Sequence, residues 1–312
     1  MHEYLTESLP YGPAIKAPAP AKAATPGEGD GPAIDRTAKL YIGGKQARPD
    51  GNYSYAVLDR KGKLAGEVGL GNRKDIRDAV AAARKCTGWG EASAYNRSQV
   101  LYFLAENLAA RGDEFAARIA RLTGAGAKAA RAEVDLSVER LFEVAGMADK
   151  YEGRVHQPPA RAVTLALHEP VGVIGIVAPD EAPLLGLVSL AAPALAMGNT
   201  VVAVPSERHA LIATDLYQVI ETSDLPAGSI NIVTGRAAEL AAVLARHDDV
   251  DGLWIVADAA TCKAAEAESI GNLKRMWTSN GKGIDWTAQN AGGDTFLRRA
   301  VEVKNVWTPY GD

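Results

Sequence analysis

The sequence predicts an α/β chain built on a parallel, helix-covered sheet. Three observations carry that prediction. Four short apolar runs, VGVIGIVA, TVVAVP, SINIVT and GLWIVA, lie between residues 171 and 257. Helix-length segments at 184–197, 209–222, 237–246 and 260–270 alternate with them. The runs are predominantly apolar without alternation, as strands of a covered sheet are, and crossovers of helical length make successive strands parallel.

Taken in order, residues 9–35, with PYGPAIKAPAPAKAATPGEGDGPAI, are rich in Pro, Ala and Gly and lack apolar periodicity, which predicts a flexible linker with folding starting after it. The MHEYL fragment ahead of it suggests the tail of a preceding module. Residues 40–42 followed by Gly43-Gly44-Lys45 read as strand and turn, and 53–58 with 64–68 as a hairpin around Lys61-Gly62-Lys63. Residues 75–84 carry apolar side chains at helical spacing, with Asn72 placed to cap them. Helices follow at 96–110, 113–122 and 127–151, the last with Val134, Val138, Leu141 and Ala145 on one face. Residues 153–169 alternate around a Pro158-Pro159 bend, the pattern of a projecting hairpin. The final strand signal is AVEVKNVW, residues 300–307, and residues 283–293, GIDWTAQNAGG, follow no readable pattern and are expected to bridge a gap.

Composition narrows the function. With 34 Lys+Arg against 38 Asp+Glu, the chain has no basic field for nucleic acid. Its longest apolar run is interrupted by Pro179, Asp180, Glu181 and Pro183, too polar for a membrane span. The first residues have neither the basic start nor the apolar stretch of a secretory signal, so a cytoplasmic location is expected. The five histidines, at 2, 156, 168, 209 and 247, lack metal-ligand spacing, and no metal site is expected. Cys86 and Cys262 sit in helical segments and read as ordinary helix thiols rather than nucleophiles.

Several segments in one order resemble the aldehyde dehydrogenase superfamily: DIRDAVAAARK followed by Trp89, EPVGVIGIVAP, APALAMGNTVV, PSE, DLPAGSINIVTG, HDDVDGLWI and VEVKNVW. The resemblance implies a Rossmann-like nucleotide-binding domain, from 39–152 and 170–282, after a linker at 1–38. It further implies an oligomerisation subdomain, from the hairpin 153–169 and the terminal strand 294–312. The interface residues it implies are Val163, Leu165, Leu167, Val301, Val303, Val306 and Trp307.

Four departures set this chain apart. The family's Pro-Trp-Asn-Phe/Tyr-Pro turn, whose Asn donates to an oxyanion, is Pro179-Asp180-Glu181-Ala182-Pro183 here, and an ionised Glu181 opposes negative charge. The family's Lys-Pro-Ser-Glu, holding ribose hydroxyls, is Val204-Pro205-Ser206-Glu207; Glu207 can still accept, but Val204 donates nothing. The Phe-Thr-Gly-Ser turn, whose helix faces the pyrophosphate, is Ile255-Val256-Ala257-Asp258, adding a carboxylate where phosphates would sit. Finally, Thr278 or Ser279 stands where the general base would be, and the domain that would carry the nucleophilic cysteine is absent.

The expected function is therefore a non-catalytic, pseudoenzyme module with no catalytic residue. It would act in the assembly of an NAD-dependent aldehyde dehydrogenase whose active site lies elsewhere, as a homodimer or docked to a catalytic module. The closest plan is the second module of two-module family-16 aldehyde dehydrogenases. No cofactor is expected, with Glu181, Val204, Glu207 and Asp258 as vestigial positions. NAD remains the ligand if the cleft is retained, which gives a second reading as an NAD-binding or regulatory module. A third reading, an active dehydrogenase, would need an unusual nucleophile such as Cys262.

Overall fold

The computed structural model describes residues 9–17, 36–291 and 294–310. A short strand β1 (Tyr11–Ala14) is followed by hairpins β2 (Leu40–Ile42) with β3 (Lys45–Ala47) and β4 (Ser54–Leu58) with β5 (Leu64–Gly69). Helix α1 (Arg73–Lys85) starts where Asn72 accepts from the Lys74 and Asp75 amides while Asp75 accepts from the Asn72 N–H, so two orphan donors are satisfied reciprocally. The chain continues through α2 (Thr87–Glu91), which buries Trp89, α3 (Ala94–Ala110), α4 (Gly112–Thr123) and α5 (Ala127–Met147). Then come β6 (Arg154–His156) and β7 (Ala162–Pro170), joined across the Pro158-Pro159 bend.

The central sheet forms next: β8 (Val173–Val177), α6 (Pro183–Ala196), β9 (Thr200–Val204), α7 (Ala210–Ile220), β10 (Ile230–Ile232), α8 (Ala237–Arg246), β11 (Gly252–Ile255), α9 (Ala259–Glu268) and β12 (Arg275–Thr278). Its strand order is β12-β11-β8-β9-β10-β2-β3, with β12 to β10 parallel and the β2–β3 hairpin antiparallel at one edge. Side chains alternate between two cores. Ile174, Ile176, Val201, Ala203 and Trp254 join the helices α3 to α7. Val173, Val177, Val202, Val204, Leu253 and Ile255 join α1, α8 and α9. Both faces are covered, so the central strands β8 and β11 are apolar at every position.

The chain ends with β13 (Lys282–Ile284), α10 (Asp294–Arg299) and β14 (Val301–Pro309). β14 pairs with β7 along its whole length, Val301 opposite Pro170 through Pro309 opposite Ala162, and β6 completes a three-stranded arm, β14-β7-β6. Asn199 anchors the arm's base: fully buried, it donates to the carbonyls of Ala194 and Ala300 and accepts from the Gly172 amide.

Three expectations are corrected. Residues 9–17 do not behave as a linker: Leu9 is buried, and β1 pairs antiparallel with β13, Tyr11 opposite Ile284 and Ala14 opposite Lys282. The MHEYL fragment lies outside the described residues. Residues 283–291 do more than bridge a gap, because Trp286 packs with Trp254 and Trp277 around Phe296 of α10. That cluster also moves the arm's boundary from 294 to Val301, since Phe296, Leu297 and Ala300 are buried in the main body.

Register corrects the interface set as well. Val163, Leu165, Leu167 and Val306 share one face of the arm with Val155, because directly paired residues project the same way. Val301, Val303 and Trp307 project from the other face. Of these, Val301 belongs to the protein's own core and offers nothing to a partner. Val303 and Trp307 remain exposed.

Candidate functional site

β8 is where the strand order reverses: the chain leaves it toward β9 and β10, then returns on its other side as β11 and β12. Parallel sheets open a crevice at such a point, outside the carboxyl ends of the strands. A cleft of about 470 Å³ lies there, floored by Val177, Ala178, Val256 and Ala257. Its walls are Asp180, Glu207, the first turn of α8 from Arg236 to Glu239, the start of α9 at Asp258, Ala260 and Thr261, and the segment Ile15, Lys16 and Ala17.

Three of the carboxylates lining this cleft, Glu207, Asp180 and Asp258, accept hydrogen bonds from the protein. Glu207 accepts from the Arg236 guanidinium at 2.6 Å and from the Ala237 amide at 3.0 Å, closing the N-terminus of α8. Its two oxygens are the ones that the sequence leaves available for a ribose. Asp180 accepts from the Ser206 hydroxyl at 2.6 Å, and the Ser206 oxygen in turn accepts from the His209 amide at 3.0 Å.

Asp258 is the N-cap of α9. It accepts from the amides of Ala260 and Thr261 at 3.0 and 3.1 Å and from the Thr261 hydroxyl at 2.7 Å. Burial pushes its carboxyl up, yet the Thr261 hydroxyl and the two amides outweigh that and hold it below the usual carboxylate range. The N-terminal amides that would receive a pyrophosphate are therefore bonded to the chain's own carboxylate. The candidate ribose acceptor and two of the candidate phosphate donors thus have internal partners.

The other expected positions are not brought into this cleft. Val204 is buried in the core beneath α1 and α8, and Glu181 points to solvent in the turn before α6. Thr278 donates to Glu266 at 2.7 Å, and buried Ser279 donates to the Ala257 carbonyl at 3.4 Å, so neither stands free as a base. Cys262 is buried with its thiol against the Ala257 carbonyl at 3.5 Å, and burial raises the Cys86 thiol above its usual range. Neither cysteine lines the cleft.

One residue escaped the sequence reading. Glu133 of α5 accepts from the Leu184 and Leu185 amides at 2.9 and 3.4 Å, so a carboxylate sits at the start of α6. Burial raises its carboxyl, with both amides opposing. Nothing local marks it, because Glu133 and Leu184 meet only through the packing of α5 on α6. Among the described residues no group of His, Cys, Asp or Glu is arranged to hold a metal, and no helix is long and apolar enough to cross a membrane.

Comparison with known proteins bears directly on this arrangement. Residues 47–282 match the model of the aldehyde dehydrogenase family. The chain is 34% identical over 242 residues to the mitochondrial benzaldehyde dehydrogenase of Antirrhinum majus, covering 76% of this chain and 45% of that protein. It is 34% identical over 217 residues to aldehyde dehydrogenase 1A1 of Equus caballus, covering 67% and 43%. The crystal structure of an NAD-dependent aldehyde dehydrogenase from Sinorhizobium meliloti superposes with a TM-score of 0.75 at 26% identity, covering 78% of this chain and 49% of that one. The chain thus spans about half the length of the relatives it matches.

Proposed function

This chain belongs to the aldehyde dehydrogenase family, and we propose that it is a non-catalytic module of that family. In this reading it acts in the assembly of an NAD-dependent aldehyde dehydrogenase whose active site is carried elsewhere, on the plan of the second module of two-module family-16 enzymes. A cytoplasmic location belongs to the same proposal.

The observation that carries it is the contrast at α9: the amides that would hold a pyrophosphate are capped by Asp258, while the arm presents unmatched apolar surface. Val155 and Leu167 are 73% and 44% exposed, and they share a face with Val163, Leu165 and Val306. β14 forms a nine-residue edge. Such an edge is a template for pairing with another chain unless it is covered. The occupant proposed is a second arm of the same kind, from another copy of this chain or from a catalytic aldehyde dehydrogenase module.

A second reading, a retained NAD-binding or regulatory module, is favoured by the persistence of a cleft at the sheet's switch point. Calorimetric titration of the chain with NAD, at concentrations that reach millimolar binding, separates the two. The assembly reading expects no saturable heat. Saturable heat would replace it with the second.

A further inference from the structure

We propose that the cleft is a peptide site, and that its occupant is the chain's own segment 9–17. The segment is held at both ends of its path. Leu9 is 6% exposed, the Asp285 amide donates to the Pro10 carbonyl at 2.8 Å, and the Ile15 amide donates to the Gly281 carbonyl at 2.7 Å. Between these points β1 pairs with β13, and the Lys282 ammonium lies 5.1 Å from the centre of the Tyr11 ring. The ladder delivers Ile15, Lys16 and Ala17 to the cleft, where they are part of its lining.

Charge selects this occupant. With Glu207 paired to Arg236, the lining still carries Asp180, Glu239 and Asp258, and Lys16 lines the same cleft. A pyrophosphate would bring further negative charge against these carboxylates. An extended segment with one lysine among Pro and Ala brings the complementary sign and little side-chain bulk. Residues 9–27 contain Lys16 and Lys22 and no acidic residue, so the stretch has the composition the cleft favours.

The closure is also displaceable. β1 has four residues, its register with β13 is irregular, and Pro10 and Pro13 supply no N–H. A two-stranded ladder of this length is marginal by itself. The segment is thus a built-in ligand with which any other entrant must compete.

Gly283 offers a lever outside the cleft lining, because a Cβ there would stand 2.7 Å from the Pro13 carbonyl oxygen. The test is amide hydrogen exchange on the full chain, comparing wild type with Lys16→Glu and Gly283→Val at low ionic strength. In the wild type the Ile15 amide is expected to be protected. Lys16→Glu should speed its exchange by about fivefold, an effect that shrinks with added salt, as surface electrostatics do. Gly283→Val should speed it further. Should Gly283→Val fail to fold, Lys16→Glu decides alone, since Lys16 is exposed and its replacement leaves both cores untouched. An unprotected Ile15 amide in the wild type, or equal protection in Lys16→Glu and wild type, would overturn the proposal. Neither outcome bears on the arm, so it stands or falls apart from the assembly reading.

Discussion

In the cleft, Glu207, Asp180 and Asp258 each accept hydrogen bonds from the chain itself, and residues 15–17 line one wall. In the arm, Val155, Leu167, Val303 and Trp307 are exposed along with most of the β14 edge, which Arg275 of the main body meets only at its base, at Val301 and Glu302 among the described residues. Both regions lie on one family scaffold, yet one is closed on itself and the other is left open. The difference teaches where to look for function. A helix N-terminus capped by its own Asp has fewer amides to offer a phosphate, whereas exposed apolar surface on a regular sheet gains free energy when a matching surface covers it.

The comparison breaks most readily at the joint between its halves. Asn199→Ala should cost about 1–3 kcal/mol in urea unfolding, because the Gly172 amide loses its acceptor and the Ala194 and Ala300 carbonyls each lose one of two donors. The same variant should loosen β14 from the main body, seen as faster hydrogen exchange at the base of the arm. A loss below half a kcal/mol would mean that the arm is anchored some other way.

Asp258→Ala sharpens the cleft side. Removing the cap should cost about 1 kcal/mol. Because the folded carboxyl lies below its ordinary value, its contribution is complete above about pH 4 and is lost as pH falls through the depressed value. Acid unfolding of the wild type and Asp258→Ala should therefore converge at low pH. Curves that stayed parallel would show that the carboxylate does not provide the cap's stability.

The smallest effect lies outside both regions. Lys274 donates to the His247 carbonyl at 2.7 Å and to the Val250 carbonyl, and burial lowers its ammonium to about 8. The folded state then disfavours the charged form, so stability should rise modestly with pH between about 8 and the unfolded value near 10.4. Lys274→Met should flatten that slope, measured by thermal melts across the range, and leave the cleft and arm comparison unchanged.

Much of the scaffold was legible because its signals are local. The Asn72 cap precedes the helix it starts by one residue, and residues 237–246 match α8 at both ends. The apolar runs from 171 to 257 gave the parallel sheet for the same reason. What was missed depends on distant pairing. β1 reads as Pro/Ala linker until β13, far along the chain, supplies its partner. Trp286 has no periodic neighbours, and only Phe296 and the tryptophans of β11 and β12 make it core. The arm's alternation is visible in sequence, but a period of two cannot say which face meets the protein's own body, so the sequence groups buried Val301 with the interface residues. At the candidate site, the departures at positions 207 and 258 were readable, whereas their internal partners Arg236, Ala237 and Thr261 required the fold.

The most direct test of the assembly account is sedimentation equilibrium of the full chain beside Leu165→Glu, which places a charge in the middle of the arm's apolar face. The account predicts a wild type that self-associates and a folded variant that sediments as a monomer. Identical masses for the two proteins, with the dimer persisting in Leu165→Glu, would contradict it.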